Sequence, residues 1–474
     1  MGRICQPTSK RGWYEGWARH TSLSYLIGMS LKKLDSQHFW NQMDTLDQEA
    51  IPSIEEEVIK MLIEKQNITL DTLLCDTSNF FTYLDSANEQ CRVAQRGYNK
   101  QKRMDLKQFG LFLVVSRQDQ IPLLHKVYQG NLSDKTIFQE QFKDVVKRLK
   151  ALCGSVEDMT VVFDQGNNSK KIVQEVNNTV SFIGSVSPYQ QRPLLEEANR
   201  SMSTITLKGR RVDCYRVRTL LWQMDLTLIV YISEKLRQGQ SRGLEQSIKK
   251  LFGKLSKLQE NIRVPTQRGK KRTPEELEKK ITTLIASSVP EGLIGWQIHS
   301  RGKGDAFELN YWINHQQLEF LKDQWFGRRI LMTNRHQWST EEIILAYWGQ
   351  HKVEYIFKNL KNPFHLSLRP QYHWTDHKIE VHGFLCVLAF LLGMVAYKRA
   401  QEQAHFRGSV HTLLEHLSSI RLATLIENPS EKTKGTYKAT YCLEHMDEDL
   451  QALADALGIS HKRDKITIPF SVYT

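Results

Sequence analysis

The chain lacks the cysteine spacing of a zinc ribbon or a disulfide scaffold. Its seven cysteines, an odd number, are scattered without a single C-x-x-C pair, and they stand at positions 5, 75, 91, 153, 214, 386 and 442. This distribution predicts reduced thiols. The chain also has no G-x-x-x-x-G-K-[ST] loop, so ATP-driven chemistry is not indicated, and no internal repeat is evident.

Long apolar segments are missing as well. The longest apolar run, Gly383 to Tyr397, is shorter than the roughly 20 residues that cross a bilayer, and it predicts a buried helix instead. The first residues, MGRICQPTSKRGWYEGW, have no apolar core of the kind that a signal peptide carries. We therefore expect a cytoplasmic protein with no membrane partner.

Positive charge is abundant. The 474 residues include 65 Lys and Arg against 52 Asp and Glu, which gives a formal net charge of +13 and a pI near 9.2. A hydrophobic content of 40% supports sizeable cores, so the chain is expected to be globular. The excess of bases favours a polyanionic partner.

The order of patterns along the chain predicts an α/β fold. Residues 1–68 predict a helical N-terminal region, whereas residues 69–199 read as β, β-hairpin, α, β, α, β, which implies a mixed sheet with helices packed on it. Residues 200–335 break this rhythm as a β-rich insertion, with a capping box at Thr273 to Glu276 that predicts a helix start. Residues 336–400, with two predicted helices about the loop NPFHLSLRPQYHW, are expected to form the second half of the core begun at residues 69–199, and residues 401–474 predict a helical C-terminal region.

One helix is predicted to carry both a lone acid and several bases. In YWGQHKVEYIFKNLK, the helical period places four apolar residues on one stripe: Val353, Ile356, Phe357 and Leu360. The adjoining stripe holds Tyr347, Gln350, Glu354, Lys358 and Lys361. If the first stripe is buried, Glu354 lies at the rim of a core, where a carboxylate can serve a site. A solvated amphipathic surface helix is the alternative.

Two further acids follow apolar runs. Asp76 ends LLCD and Asp164 ends VVFD, and the carboxyl ends of strands are where open α/β sheets place functional groups. Each Asp alone is equally explained as a turn or helix cap. Together with Glu354, they could converge on two divalent metal ions, which prefer hard oxygen ligands and support in-line phosphoryl transfer.

Four separate motifs, in order, carry a resemblance to a known family. The residues Tyr347-x₂-Gln350-x₃-Glu354-x₆-Lys361 resemble the Y-x₂-R-x₃-E-x₆-K signature of insertion-sequence DDE transposases, which use an RNase H-like fold for cut-and-paste transposition. DTSNFF at Asp76, VYQGNLSD at 127–134 and VVFDQGNNS at Asp164 agree with it, and the similarity runs from about Ser9 into the 390s. The chain departs from the signature at Gln350, where the family has arginine, so a charged phosphate contact becomes a neutral one. It also begins near what resembles the middle of the family's N-terminal region, so we expect a shortened end-recognition module.

The resemblance implies roles for individual residues. Asp76, Asp164 and Glu354 would be the catalytic triad that binds two Mg²⁺ ions, with Mn²⁺ as a substitute. Tyr347, Gln350 and Lys361 would contact transposon-end DNA at the signature positions, and Lys358 adds a base on the same helix. The implied reaction is nicking of DNA at the element's end, followed by transfer of the freed 3′-hydroxyl strand into target DNA. The implied partners are double-stranded DNA with terminal inverted repeats, target DNA, and a second copy of the chain in a homodimer on paired ends.

Three other interpretations remain open. An RNase H-like endonuclease would cut without joining, and a transposase-derived DNA-binding protein would do neither. HWTDHKIEVH contains His373, Asp376, His377 and His382, and its i, i+4 histidine pair would suit zinc if it were helical. Helix capping or DNA contact explains these histidines more simply.

Overall fold

The structure, a computed structural model, is a mixed α/β protein. It describes residues 1–28, 30–31, 34–85, 87–99, 101–164, 169–266, 271–302, 304–369, 371–427, 436–459 and 464–469. The chain divides into two compact units: unit 1 comprises Met1–Phe182 and Ala346–Thr474, and unit 2 comprises Ile183–Leu345.

The first segment of unit 1 begins with helices and continues into a sheet. The helices are α1 (Gly2–Cys5), α2 (Trp13–Gly16), α3 (Leu23–Ile27), α4 (Ser36–Asp44) and α5 (Ile51–Gln66). The following elements are β1 (Thr72–Thr82), β2 (Lys107–Ser116), β3 (Pro122–Gln129), α6 (Asp134–Cys153), β4 (Thr160–Phe163), α7 (Lys170–Asn177) and β5 (Ser181–Val186), the last of which continues into unit 2. The predicted order β, β-hairpin, α, β, α, β is therefore the observed one.

The sheet of unit 1 has the strand order β3-β2-β1-β4. Strand β1 runs antiparallel to β2 and parallel to β4, with Cys75 opposite Phe163, so the sheet is mixed. Strand β2 is buried along nearly its whole length, which explains its continuous apolar sequence FGLFLVV. Gly110 is required there because a Cβ atom at this position would overlap the ring of Tyr128 on β3.

A buried ionic network attaches α5 to this sheet. Glu55 on α5 accepts a hydrogen bond from Arg148 Nη2 on α6 at 2.9 Å and also contacts His125 Nδ1 on β3. Burial alone would raise the pKa of Glu55, but His125 and Arg148 lower it below its usual value. The carboxylate therefore stays charged in the core, because both of its oxygens have cationic or donor partners.

Unit 2 combines an antiparallel sheet with a separate helical layer. Its elements after β5 are α8 (Arg192–Ser201), β6 (Ser203–Leu207), β7 (Arg210–Leu221), β8 (Met224–Ile232), α9 (Glu234–Ile262), α10 (Pro274–Ala286), β9 (Ile294–Ser300), β10 (Phe307–Ile313), α11 (His315–Gln324) and β11 (Arg328–Thr333). The strand order is β5-β11-β8-β7-β6, and the β9-β10 hairpin shares a core with α9 and α10. The predicted helix start is confirmed, since Thr273 is the N-cap of α10 and its hydroxyl accepts from the backbone N–H of Glu276.

The last segment returns to unit 1. It contains α12 (Thr340–Trp348), which begins in unit 2, and then α13 (Gln350–Lys361), α14 (Asp376–Gln403), α15 (Val410–Ser418), β12 (Leu422–Glu427), β13 (Thr436–Leu443), α16 (Glu448–Ala456) and β14 (Asp464–Pro469). Strands β12, β13 and β14 form an antiparallel sheet, so the expectation of an entirely helical region at 401–474 is corrected. The β-branched and aromatic residues of LATLIE and TYKATYCL favour strands.

The predicted buried helix at 383–397 lies within α14. By length and composition α14 could span a membrane, but 67% of its most apolar window is buried inside the protein. This burial is typical of the core helix of a globular protein, since the residues of a lipid-facing span would be exposed to the bilayer.

Candidate functional site

Helix α13 presents its polar stripe beside the sheet of unit 1. All four residues of the predicted apolar stripe are buried: Val353, Ile356, Phe357 and Leu360. Glu354 and Lys358 are exposed on the other side. The interpretation of the stripe from its period is therefore confirmed at these six positions.

The single helix predicted for residues 347–361 is in fact two helices. Helix α12 ends at Trp348 and α13 begins at Gln350, with Gly349 between them. A Cβ atom at Gly349 would lie 2.8 Å from the carbonyl oxygen of Ala346 and 3.2 Å from Cγ of Arg117, so the close approach of the chain excludes a larger residue. Tyr347 and Glu354 consequently belong to different helices, which changes where the tyrosine points.

Asp76 and Asp164 occupy neighbouring positions on adjacent parallel strands. The pairing of Cys75 with Phe163 places the next residues, Asp76 and Asp164, side by side, because parallel strands lie about 4.8 Å apart. Asp164 directly follows the end of β4, as expected. Asp76 does not end its strand, because β1 continues to Thr82 and pairs with β2 throughout. The β-forming residues TSNFFT extend the strand beyond the acid.

Tyr347 contacts one of these carboxylates directly. Its hydroxyl donates to Asp164 Oδ1 at 2.6 Å, and the tyrosine side chain is buried while Asp164 is exposed. Asp76 Oδ1 in turn accepts from the backbone N–H of Thr77 at 2.8 Å. Each aspartate therefore has one oxygen fixed by a neutral donor, which orients a carboxylate without cancelling its charge.

Three side chains attach α13 to the strands below it. Gln350 Nε2 donates to the carbonyl oxygen of Val162 on β4 at 2.9 Å, and Lys361 Nζ donates to Ser78 Oγ on β1 at 2.6 Å. Lys352 Nζ donates to the carbonyl oxygen of Arg117 at 2.7 Å. The helix thus begins over β4 and ends over β1, and Glu354 lies between the two attachments.

Asp134 is a fourth acid that the motif-based reasoning did not single out as functional. It opens α6, and its Oδ1 accepts from Thr77 Oγ1 at 2.7 Å, next to Asp76 along β1. The signal was present in the sequence, since VYQGNLSD ends in this residue.

The donor set has the chemistry that a divalent ion needs, but it is not preassembled. Asp76, Asp164 and Glu354, which we call the carboxylate triad, are hard oxygen ligands on two adjacent strands and the helix attached to both. In the part of the chain that the structure describes, no group of three or more His, Cys, Asp or Glu side chains is close enough to hold a metal ion. The triad therefore has the ligand type that a divalent metal prefers, and its three residues lie on neighbouring elements. Its side chains must move before all three can bind one ion.

The histidines of HWTDHKIEVH have separate partners. His373 precedes α14 and contacts Lys10 Nζ, His377 Nε2 contacts the carbonyl oxygen of Leu46, and His382 Nε2 contacts the carbonyl oxygen of Leu368. His373 is outside the helix, so the i, i+4 geometry required for the zinc interpretation is not present.

Comparisons with known proteins give weak structural likenesses only. No protein-family model matches the chain, and no curated protein matches it. Among solved structures, a piggyBac transposase synaptic complex with hairpin DNA is similar at a TM-score of 0.38 and 10% identity, covering 83% of this chain and 64% of that one. A Mos1 transposase paired-end complex with the left transposon end is similar at a TM-score of 0.17 and 11% identity, covering 34% of this chain and 52% of that one. The chain thus spans less than two thirds of either structure.

Proposed function

We propose that this chain is a metal-dependent DNA transposase with an RNase H-like core, which cuts and joins insertion-sequence DNA by phosphoryl transfer. The observation that carries the proposal is the pairing of Cys75 with Phe163, which makes Asp76 and Asp164 neighbours. Helix α13, attached to both strands, adds Glu354. Two acids at adjacent strands and one on the helix attached to both strands support the triad that the motif resemblance implies.

The proposed cofactor is a pair of Mg²⁺ ions, with Mn²⁺ as a substitute, held by Asp76, Asp164 and Glu354. When bound, two such ions stabilise the attacking and leaving oxygens of an in-line displacement. Side chains of the protein position the ligands: Tyr347 holds Asp164 through its hydroxyl, and the backbone of Thr77 holds Asp76.

The proposed DNA contacts divide into two groups. Lys358 is exposed on α13 one turn beyond Glu354, where an ammonium group can hold a phosphate near the triad. Tyr347, Gln350 and Lys361 already have partners within the protein, so DNA contact by these three residues stays a prediction.

The proposed substrates are terminal inverted repeats and target DNA, bound by a homodimer in the cytoplasm at the nucleoid. The net charge of +13 supports a polyanionic partner of this kind. The DNA that flanks the encoding gene supplies the test substrate.

The decisive experiment replaces Glu354 with glutamine and follows Mg²⁺-dependent nicking of that flanking DNA. Glu354→Gln preserves size and hydrogen bonding while removing a charged ligand, so we expect cleavage to fall by at least about a thousandfold, because phosphoryl transfer depends on positioned charge. Binding measured by gel shift in EDTA should persist. Glu140→Gln, at an exposed acid on α6, is the matched control and should cut at the wild-type rate.

The outcome also separates the alternatives. Nicking without covalently joined products would indicate an RNase H-like endonuclease, and binding without any Mg²⁺-dependent nicking would indicate an inactive DNA-binding derivative. Cutting by Glu354→Gln near the wild-type rate would remove the triad assignment.

A further inference from the structure

Unit 1 contains a second polar site whose lining shares no residue with the carboxylate triad. A cavity of about 190 Å³ is lined by Arg3, Lys10, Arg11, Trp40, Tyr372 and His373, together with two serines, and we call it the basic pocket. Three of these side chains are cationic and the lining contains no acid. Its volume is several times that of one water molecule, about 30 Å³, so it has room for a polyatomic ion.

Lys10 is fixed in the basic pocket by a short hydrogen-bonded chain. Its Nζ lies 2.6 Å from His373 Nε2, and His373 Nδ1 lies 2.7 Å from Gln371 Oε1. An ammonium group can only donate, so His373 accepts at Nε2 and carries its proton on Nδ1, which donates to the glutamine. These hydrogen bonds hold the Lys10 ammonium against a neutral partner, which does not compensate the positive charge of the lysine.

Neutral groups, not acids, also hold Arg3 and contact Lys10. Arg3 Nη1 donates to the carbonyl oxygen of Arg369 at 3.1 Å. Lys10 Nζ lies 5.0 Å from the centroid of the Trp40 ring, a contact with a neutral π-system. Lys378, which also lies over Trp40, differs because it forms an ion pair with Asp44 at 2.5 Å. Among the described residues, no ion pair joins an acid to Arg3, Lys10 or Arg11.

Burial and neighbouring positive charges lower the pKa values of both Lys10 and His373. Burial, with Arg3 and Lys378, lowers the pKa of Lys10 to about 8. Burial, with Lys10 and Arg3, lowers the pKa of His373 to about 2, so the imidazole stays neutral. Burial is the larger cause of both shifts, and the smaller contribution of the neighbouring cations agrees with a lining that is rich in positive charge.

We propose that the basic pocket is a phosphate-binding site formed by the Arg3, Lys10 and Arg11 cations against the Trp40 ring. Guanidinium groups match the geometry of phosphate oxygens and the ammonium adds a point charge. The serine and Tyr372 hydroxyls supply neutral donors. A carboxylate has too few acceptor oxygens to engage three cations and these hydroxyls together, so phosphate is the better match.

The natural source of the phosphate is taken to be a DNA strand, and this part of the inference rests on the proposed function. A backbone phosphate held here would anchor DNA through the N-terminal segment, and the exposed part of Trp40 could contact the adjoining sugar or base. The inference that the basic pocket binds phosphate depends only on its lining residues.

The test measures binding of inorganic phosphate and of sulfate to the full-length protein by calorimetry and by the shift in Tm. Both anions should raise the Tm of the wild type, because a ligand that binds the folded state stabilises it. Lys10→Met keeps the stem that crosses Trp40 and should weaken anion binding by about tenfold or more, since hydrogen bonds to charged groups are the strong ones. Lys147→Met, at an exposed lysine on α6, removes the same formal charge and should leave anion binding unchanged.

Arg11→Gln is a second variant that tests the proposal if Lys10→Met does not fold. Arg11 is exposed, so its substitution should preserve the unliganded Tm while weakening anion binding. Equal binding by wild type, Lys10→Met and Arg11→Gln, or no Tm shift in the wild type, would overturn the proposal.

Duplex DNA distinguishes the two sources of phosphate. If DNA occupies the basic pocket, it should compete with sulfate. Lys10→Met should then reduce the slope of log DNA affinity against log salt concentration by about one, the change expected for loss of one phosphate contact. Sulfate binding without competition by DNA would overturn the DNA source and support a site for free phosphate. Glu354→Gln should bind sulfate normally, so failure of the triad assignment is distinguishable from failure of the basic pocket.

Discussion

The carboxylate triad and the basic pocket are two regions of unit 1 that collect charge of opposite sign. In the triad, the hydroxyl of Tyr347 and the backbone of Thr77 hold the aspartates. In the basic pocket, the ring nitrogen of His373 and the π-face of Trp40 hold Lys10. Both regions therefore use neutral groups to hold charged side chains in position.

The two regions differ in how a ligand completes them. The basic pocket is a formed cavity around cations that are already in contact with their supports. The carboxylate triad lies on adjacent elements without forming a three-ligand cluster among the described residues. We therefore expect anion binding to need little rearrangement, and metal binding to depend strongly on the residues that orient the acids.

The largest effect expected from this comparison comes from removing the Tyr347 hydroxyl. Tyr347→Phe leaves Asp164 without its 2.6 Å donor, and loss of a partner that orients a metal ligand costs about 10-fold to 100-fold in metal affinity or activity. The measurement is the Mg²⁺ dependence of DNA nicking, which should move to higher Mg²⁺ concentration; DNA affinity measured in EDTA separates this effect from loss of a DNA contact by Tyr347. Tyr355→Phe, on α13, is the control. An unchanged Mg²⁺ dependence would show that Asp164 does not need this donor.

A smaller effect is expected at Gln350, where the signature of the resemblance has arginine. Gln350 donates to the carbonyl oxygen of Val162, so Gln350→Ala removes a tether between α13 and β4 worth about 1 kcal/mol, or roughly fivefold in nicking rate. Gln350→Arg separates this tether from DNA contact. If Gln350 contacts phosphate, arginine should steepen the salt dependence of DNA binding by about one contact; if it is a tether, the salt slope should not change.

The same residues show what the sequence could predict. Periodicity identified the buried stripe of α13, and the succession of apolar runs identified the order of strands and helices along the chain, because both depend on local pattern. The break at Gly349 was missed because the helical period of the apolar stripe does not show where one helix ends, and the nearby Arg117 side chain is far away in the chain. Asp76 was placed at a strand end, since its pairing with β2 could not be read from one segment.

The basic pocket could not be found from the sequence at all. Lys10 and His373 are separated by 363 positions, and neither belongs to a motif with a fixed spacing. HWTDHKIEVH drew attention to His373 for zinc, whereas the fold gives that ring a lysine as its partner. Short-range patterns predict elements, but a site made of unrelated segments depends on tertiary packing.

The smallest expected effect is a dependence of anion binding on pH in the basic pocket. The ionisable groups around Lys10 are Arg3, Arg11, Lys378, His373, His382 and Cys386. Burial lowers the pKa of His382 well below its usual value, so this ring stays neutral. Burial holds His373 neutral by lowering its pKa to about 2 and keeps the Cys386 thiol neutral by raising its pKa, so neither changes charge near neutrality. Lys10 is left as the group that titrates, because its pKa is lowered to about 8.

A bound anion stabilises the charged form of Lys10, so its pKa should rise on binding and affinity should fall as pH increases through about 8. For a rise of about one unit, sulfate affinity should drop about threefold between roughly pH 7 and pH 8.5. Calorimetry with sulfate measures this directly, because the charge of sulfate is constant over the range. Lys10→Met should show weak binding with no such dependence, and a wild-type affinity that is flat with pH would mean that the anion does not contact Lys10.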